Sequence, residues 1–233
     1  MMAVDQINAT GWIEEYKQEV QASRQLSYPC ETLIRLFKGD YLPDMPKTFA
    51  GLRLCDVSCG TGNNAFFFCD LGLSVFATEI HEEICSRVRS SAEAAGRTID
   101  IRVGTNRNLP FADNFLDFLV SWNVLHYENN EADICSGIAE YARVLRPGGR
   151  LILSTTGPEH RILAGARTVG AHVYEIHRSD DFRKGERFFY FDAPNYIHHY
   201  FDPVFSEVRI GRTHDSLFTE TLDWWLVTGR KPD

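Results

Sequence analysis

Short, almost continuously apolar runs alternate with longer amphipathic stretches through the middle of the chain. That rhythm restricts the fold more than any other feature. Leu52–Val57, Ser74–Ile80, Ile99–Gly104, Leu116–Trp122 and Arg150–Thr155 read as strands. A strand with one wet face would alternate polar and apolar residues; these runs do not, so both faces are expected to be covered. Between them, Ile84, Val88, Ala92 and Ala95 fall on one helical stripe, with Gly96 placed to end it. Ile134, Ile138, Tyr141 and Leu145 form a second stripe, with Asn130 to cap its start and Pro147-Gly148-Gly149 beyond its end. Strand–helix–strand alternation implies an α/β fold with a doubly wound, mostly parallel sheet. The chain closes with Glu207–Arg212 and Leu222–Arg230, two strand-like runs joined by a polar turn. On a parallel sheet such a hairpin forms an antiparallel edge.

Two segments depart from the rhythm. Residues 1–50 carry a helical pattern with Trp12, Tyr16 and Val20 on one face, followed by the proline-broken linker Tyr41-Leu42-Pro43-Asp44-Met45-Pro46. They are expected to form a lid segment ahead of a domain spanning residues 51–233. An insert over about residues 157–205 is rich in Phe, Tyr and His. It is expected to be a small β-hairpin turning at Gly185, its aromatics packed on the sheet. The alternative makes Phe188–Phe191, Tyr196, His198, His199 and Tyr200 a wall for an apolar or planar substrate. Trp224 and Trp225 lie within the last strand, so one ring should face the core and the other the opposite face.

Composition narrows the function. The 233 residues carry a formal net charge of -8 and no long run of Lys and Arg. An acidic chain is repelled by phosphate backbones, so a nucleic-acid partner is not expected. No apolar run approaches the roughly 20 residues of a membrane helix, and no signal peptide is visible. The six cysteines include no Cys-x-x-Cys pair, Cys55 and Cys59 have no second ligand pair, and adjacent His198 and His199 diverge. No metal is expected, and reduced thiols in apolar runs suit a cytoplasmic protein.

The sharpest site signal is Leu54-Cys55-Asp56-Val57-Ser58-Cys59-Gly60-Thr61-Gly62-Asn63-Asn64-Ala65. It follows a buried strand and opens a helix, where small residues let a ligand approach free backbone N–H groups. Glu79, at the end of the next strand, is placed to accept both hydroxyls of a ribose; it also suits the start of a helix. Gly60-x-Gly62-x-x-Ala65 satisfies the dinucleotide fingerprint as well, which keeps an NAD(P)-dependent oxidoreductase as an alternative. Asp56 discriminates: a carboxylate inside the loop repels a pyrophosphate and suits a ligand bearing an ammonium and a sulfonium.

The chain resembles the class I S-adenosylmethionine-dependent methyltransferases. The resemblance rests on Cys55–Gly62, Thr78-Glu79, Asn108-Leu109-Pro110-Phe111, Phe115-Leu116-Asp117 running into Ser121–His126, and Leu145–Leu151, in that order, with the closing hairpin. It implies a Rossmann-like sheet of seven strands with the last reversed, S-adenosyl-L-methionine as cofactor, and a small-molecule acceptor. It further implies that Asp56 and the backbone around Ser58, Cys59, Gly60 and Gly62 face the methionine part. Glu79 would hold the ribose, Ile80 would lie along the adenine, Thr105 and Asn106 would meet its edge, and Asn123 would sit beside the methionine. Ser58 stands where a glycine is usual and fits only with an ordinary φ. Thr105 stands where an Asp commonly takes the adenine amine. If these departures abolished binding, the chain would be a non-catalytic interaction protein of the same fold.

Methyl transfer to a hydroxyl calls for a general base, whereas transfer to a free amine does not. His126, after the fourth strand, and His160, after the fifth, lie at the carboxyl ends where ligands bind and are the candidate catalytic residues. Tyr16, Arg24 and Tyr28 of the lid segment are candidates to reach over the methionine end.

Overall fold

The computed structural model describes Glu14 and residues 28–233 apart from residue 180. Its strands are β1 (Arg53–Val57), β2 (Ser74–Glu79), β3 (Ile99–Val103), β4 (Leu116–Trp122), β5 (Leu145–Thr156), β6 (Arg167–Gly170), β7 (Val173–Glu175), β8 (Arg187–Phe189), β9 (Ser206–Leu217) and β10 (Glu220–Arg230). Its helices are α1 (Glu31–Lys38), α2 (Asn63–Asp70), α3 (Glu82–Ala94), α4 (Glu131–Val144) and α5 (Pro194–Phe201). Seven strands form one sheet in the order β3-β2-β1-β4-β5-β10-β9. The first five run parallel, and β10 is antiparallel to both β5 and β9.

Successive strand residues enter opposite core layers, which is why the runs are apolar throughout. Leu54 and Phe118 pack with Leu33, Phe37, Phe68 and Val88 on one face. Cys55 and Leu119 pack with Ile134, Tyr141, Phe201 and Trp225 on the other. The strand order reverses between β1 and β4, and their carboxyl ends open a crevice there, the usual ligand position in such sheets.

Part of the expected lid segment belongs to the core. The Phe37 ring lies 4.9 Å from Phe68, 5.5 Å from Phe49 and 6.0 Å from Phe118. Trp12, Tyr16, Val20 and Arg24 lie outside the described residues.

Three elements differ from the sequence reading. β5 begins at Leu145, because Gly148 and Gly149 exchange backbone hydrogen bonds with Lys231 and extend the sheet edge. The closing hairpin is longer and turns at Phe218-Thr219, between β9 and β10. β9 is an exposed edge strand, so its polar residues from Thr213 to Ser216 do not interrupt the ladder. The insert holds the hairpin turning at Gly185, but as part of a three-stranded antiparallel sheet, β6-β7-β8, followed by α5. Phe189 and Phe191 pack into the main core, Phe188 into a small one with Ile162 and Ile176.

Candidate functional site

The loop from β1 to α2 turns through left-handed backbone at Ser58 (φ 51°), Gly60 (φ 57°) and Gly62 (φ 82°). The expectation that Ser58 keeps an ordinary φ is therefore corrected; a side chain there costs about 1 kcal/mol. The end of β2 holds the loop in place. Ser58 N–H donates to Thr78 Oγ1 at 3.3 Å, and Cys59 N–H donates to the Thr78 carbonyl at 3.0 Å. Gly60 N–H donates to Glu79 Oε1 at 2.7 Å, and Ile80 N–H donates to Glu79 Oε2 at 3.0 Å. Glu79 thus ties the loop to β2, a role the sequence did not show. Capping of α3 falls to His81, whose Nδ1 accepts from Glu83 N–H. A Cβ on Gly62 would come within 2.9 Å of Val88 Cγ1, so α3 packs against bare backbone there.

Two carboxyls lie at this end. Asp56 is 1% exposed, and burial, with Glu79 nearby, pushes its carboxyl up to about 8. Its Oδ2 has no hydrogen-bond partner. Burial also raises the Glu79 carboxyl. A buried, unsatisfied carboxyl beside a second one fits a ligand that brings a cation, as the ammonium and sulfonium of S-adenosylmethionine would.

One cavity of about 410 Å³ opens above the loop. Ser58, Gly60, Glu79, Ile80, Thr105, Asn106, Asn123, His126 and His160, all singled out from the sequence, line it together. Asp56, buried on β1, and Cys59, a loop residue packed against the core, are not among the lining residues. Gly62 is set back as the residue preceding α2. Tyr28 is 79% exposed and does not line the cavity, which corrects its expected place over the methionine end. Asn106 is committed elsewhere than expected. Its Oδ1 accepts from Tyr141 O–H at 2.5 Å, and its Nδ2 donates to Glu128 Oε1 at 3.1 Å. Of the two expected partners for an adenine amine, Thr105 has the less encumbered side chain. Asn123 takes a left-handed φ of 61°, tolerable for Asn, and its N–H donates to Ser154 Oγ at 2.9 Å.

The far end of the cavity is aromatic. His126 is 2% exposed, its ring 4.7 Å from Tyr127, 5.2 Å from Phe188 and 6.1 Å from Trp224. His160 is 6% exposed and lies 4.2 Å from Trp224. Burial, helped by the Arg183 and His160 charges, lowers His126 to about 3; burial, then Arg161 and Arg183, lowers His160 to about 4. Both rings are neutral near pH 7. His160 Nδ1 accepts from Ile162 N–H at 3.1 Å. In a neutral ring the proton then sits on Nε2, so His160 presents a donor, not a base. This corrects its expected role and leaves His126 as the candidate base. Trp225 faces the core and Trp224 the cavity, as alternation along β10 requires. Tyr127, Thr156, Ile162 and Arg183 also line this end and were missed.

Away from the cavity, Glu159, His214 and Asp223 converge closely enough for an ion. The Arg212 guanidinium already bonds both acids, Nη2 to Glu159 Oε1 at 2.5 Å and Nε to Asp223 Oδ1 at 2.7 Å, so the group is an ion-pair network.

A parallel α/β sheet with a glycine loop, an acid after the second strand and a cavity at the strand ends defines a nucleoside-ligand-binding protein. Residues 55–153 match the family described as a methyltransferase domain. The ubiquinone/menaquinone biosynthesis C-methyltransferase of Dinoroseobacter shibae is 37% identical over 126 residues, covering 52% of this chain and 48% of that protein. "Probable tRNA methyltransferase 9B" of Mus musculus is 31% identical over 129 residues, covering 55% of this chain and 25% of that protein. The chain thus spans about half, or less, of the length of these curated relatives. A solved S-adenosylmethionine-dependent methyltransferase from Methanosarcina mazei superposes with a TM-score of 0.67 at 16% identity, covering 88% of this chain and 99% of that one. Residues 55–153 thus resemble a methyltransferase domain, on a fold shared with solved S-adenosylmethionine-dependent methyltransferases. Among the described residues no helix is long and apolar enough to cross a membrane.

Proposed function

We propose that this protein methylates a small-molecule acceptor with S-adenosylmethionine. The carrying observation is a single cavity that joins the glycine loop and Glu79 to the aromatic end at His126, His160 and Trp224. Its volume lies within the range of about 300–1,000 Å³ usual for small-ligand sites. Glu79, whose oxygens keep acceptor capacity beyond their bonds to Gly60 and Ile80, would hold the ribose. Ile80 would lie along the adenine, and the Thr105 hydroxyl would accept its amine. The loop backbone from Ser58 to Gly62 would face the methionine part, with Asn123 beside it. Asp56, through its unpaired Oδ2, would favour the ammonium.

When bound, the cofactor supplies a methyl carbon on a good leaving group, so the protein's task is alignment and exclusion of water. The insert and Trp224 wall the far end of the cavity and perform that exclusion. A proton released by a hydroxyl acceptor would go to the neutral ring of His126, since His160 already carries its proton on Nε2. Net charge and an acceptor end closed by the insert favour a small molecule over RNA.

The test is incubation with cofactor tritiated in the methyl group, in the presence of a small-molecule cell extract and, separately, of bulk tRNA. Label should appear in the small-molecule fraction alone. Label in tRNA would overturn the acceptor class, and cofactor binding with transfer to neither would restore the non-catalytic reading.

A further inference from the structure

The aromatic end of the cavity carries unmet hydrogen-bonding capacity. His126 Nδ1, Thr156 Oγ1 and His160 Nε2 are each buried without a partner, and all three residues line the cavity. More than about nine in ten buried polar atoms find partners in native proteins, so three orphans around one space mark a place that a ligand fills. Their chemistry is unequal. His160 offers Nε2–H as a donor, because Ile162 N–H fixes its tautomer. The Thr156 hydroxyl can donate or accept, and the neutral His126 ring can do either.

Charge is balanced at this end. Arg183, the one cation among the described lining residues, forms a two-pronged pair with Asp181, Nε to Oδ1 at 2.8 Å and Nη2 to Oδ2 at 2.7 Å. Its Nη1 donates to Tyr127 O–H at 3.1 Å. Glu128 accepts from Asn106 and pairs with Arg107 at 3.2 Å. An anionic ligand would meet a guanidinium already compensated, and a cationic one would meet no uncommitted carboxylate here. Trp224, Tyr127 and the two imidazoles present flat faces and edges, with Thr156 and Ile162 beside them.

We infer that the acceptor is an uncharged, planar compound bearing both an oxygen that accepts from His160 Nε2–H and a hydroxyl that meets Thr156 or His126. This rests on the proposed function, because it names what fills the acceptor end of the same cavity. Hydroxyl and carbonyl groups on one flat ring can satisfy all three orphans at once without bringing a net charge to an end whose ion pairs are already balanced.

The experiment is calorimetric titration of the full chain, first with S-adenosylhomocysteine and then, on the saturated protein, with three probes of similar size. These are 4-hydroxyacetophenone, ethylbenzene and 4-hydroxybenzoate. The first should bind at least about tenfold more tightly than the other two, the worth of one or two neutral hydrogen bonds. Thr156→Val, which keeps shape and removes the hydroxyl, and His160→Gln should each reduce that preference by about threefold to tenfold. Nitrogen-15 spectra of the wild type provide a readout independent of any variant: His160 should be the Nε2–H tautomer and should shift on adding 4-hydroxyacetophenone. Equal binding of ethylbenzene, or tighter binding of 4-hydroxybenzoate, would overturn the inference. Binding of S-adenosylhomocysteine in the first titration judges the cofactor reading separately, so the two fail distinguishably.

Discussion

Glu79 reaches across from the end of β2 and accepts the backbone N–H of Gly60, 2.7 Å away, so one carboxylate both shapes the glycine loop and faces the cavity. Glu79→Ala removes that bond, the Ile80 bond and the charge. S-adenosylhomocysteine binding should weaken by about 1.5–3 kcal/mol, roughly tenfold to hundredfold. Glu79→Gln keeps one carbonyl oxygen for Gly60 but turns an amide N–H toward Ile80 N–H, so it should fall between wild type and Glu79→Ala. Titration calorimetry on the three proteins checks the order.

The loop's conformation has its own cost. Ser58→Gly relieves a left-handed side chain and should raise stability by about 0.5–1 kcal/mol. Gly62→Ala should lower it by about 1–3 kcal/mol, since its φ of 82° is strained for alanine and the new Cβ meets Val88 on α3. Urea unfolding midpoints measure both.

Asp56 makes a pH prediction. Its carboxyl, ordinarily near 3.8, stands at about 8 in the ligand-free protein. Between those values the folded chain holds a proton that the unfolded chain has lost, so stability falls as pH rises through that window. Asp56→Asn should flatten the fall. A ligand ammonium in the cavity favours the charged form of Asp56 through the loop, so cofactor binding at pH 7 should release up to about one proton. Calorimetry in buffers of different ionisation enthalpy counts it.

The histidines act in the opposite sense. His126 stands at about 3 and His160 at about 4, against an ordinary value of 6.5. Between those values the unfolded chain binds protons that the folded chain does not, so stability is lost as pH falls below about 6.5. His126→Phe should reduce the drop in melting temperature between pH 7 and pH 4.5. An unchanged drop would place the acid sensitivity elsewhere.

The parallel strands were legible because burial on both faces leaves unbroken apolar runs, as in Leu116–Trp122. The cavity's near end was legible because Gly60, Glu79 and Asn123 occupy ordered positions in a recurring loop pattern. The far end was not. The role of His160 depends on a backbone N–H two residues later, which no residue type encodes. Arg183 reaches the cavity from an insert without periodicity, and Trp224 does so because β10 pairs with β5 and brings it beside Thr156. The polar end of β9 escaped notice because an edge strand open on both faces has no apolar alternation.

The most direct measurement is parallel calorimetric titration of the full chain with S-adenosylmethionine, S-adenosylhomocysteine and NADH. Saturable binding of both adenosyl compounds and none of NADH is expected, because the buried carboxyls at Asp56 and Glu79 favour a ligand that brings a cation and disfavour one that brings a pyrophosphate. Saturable NADH binding, or no binding of either adenosyl compound, would contradict it.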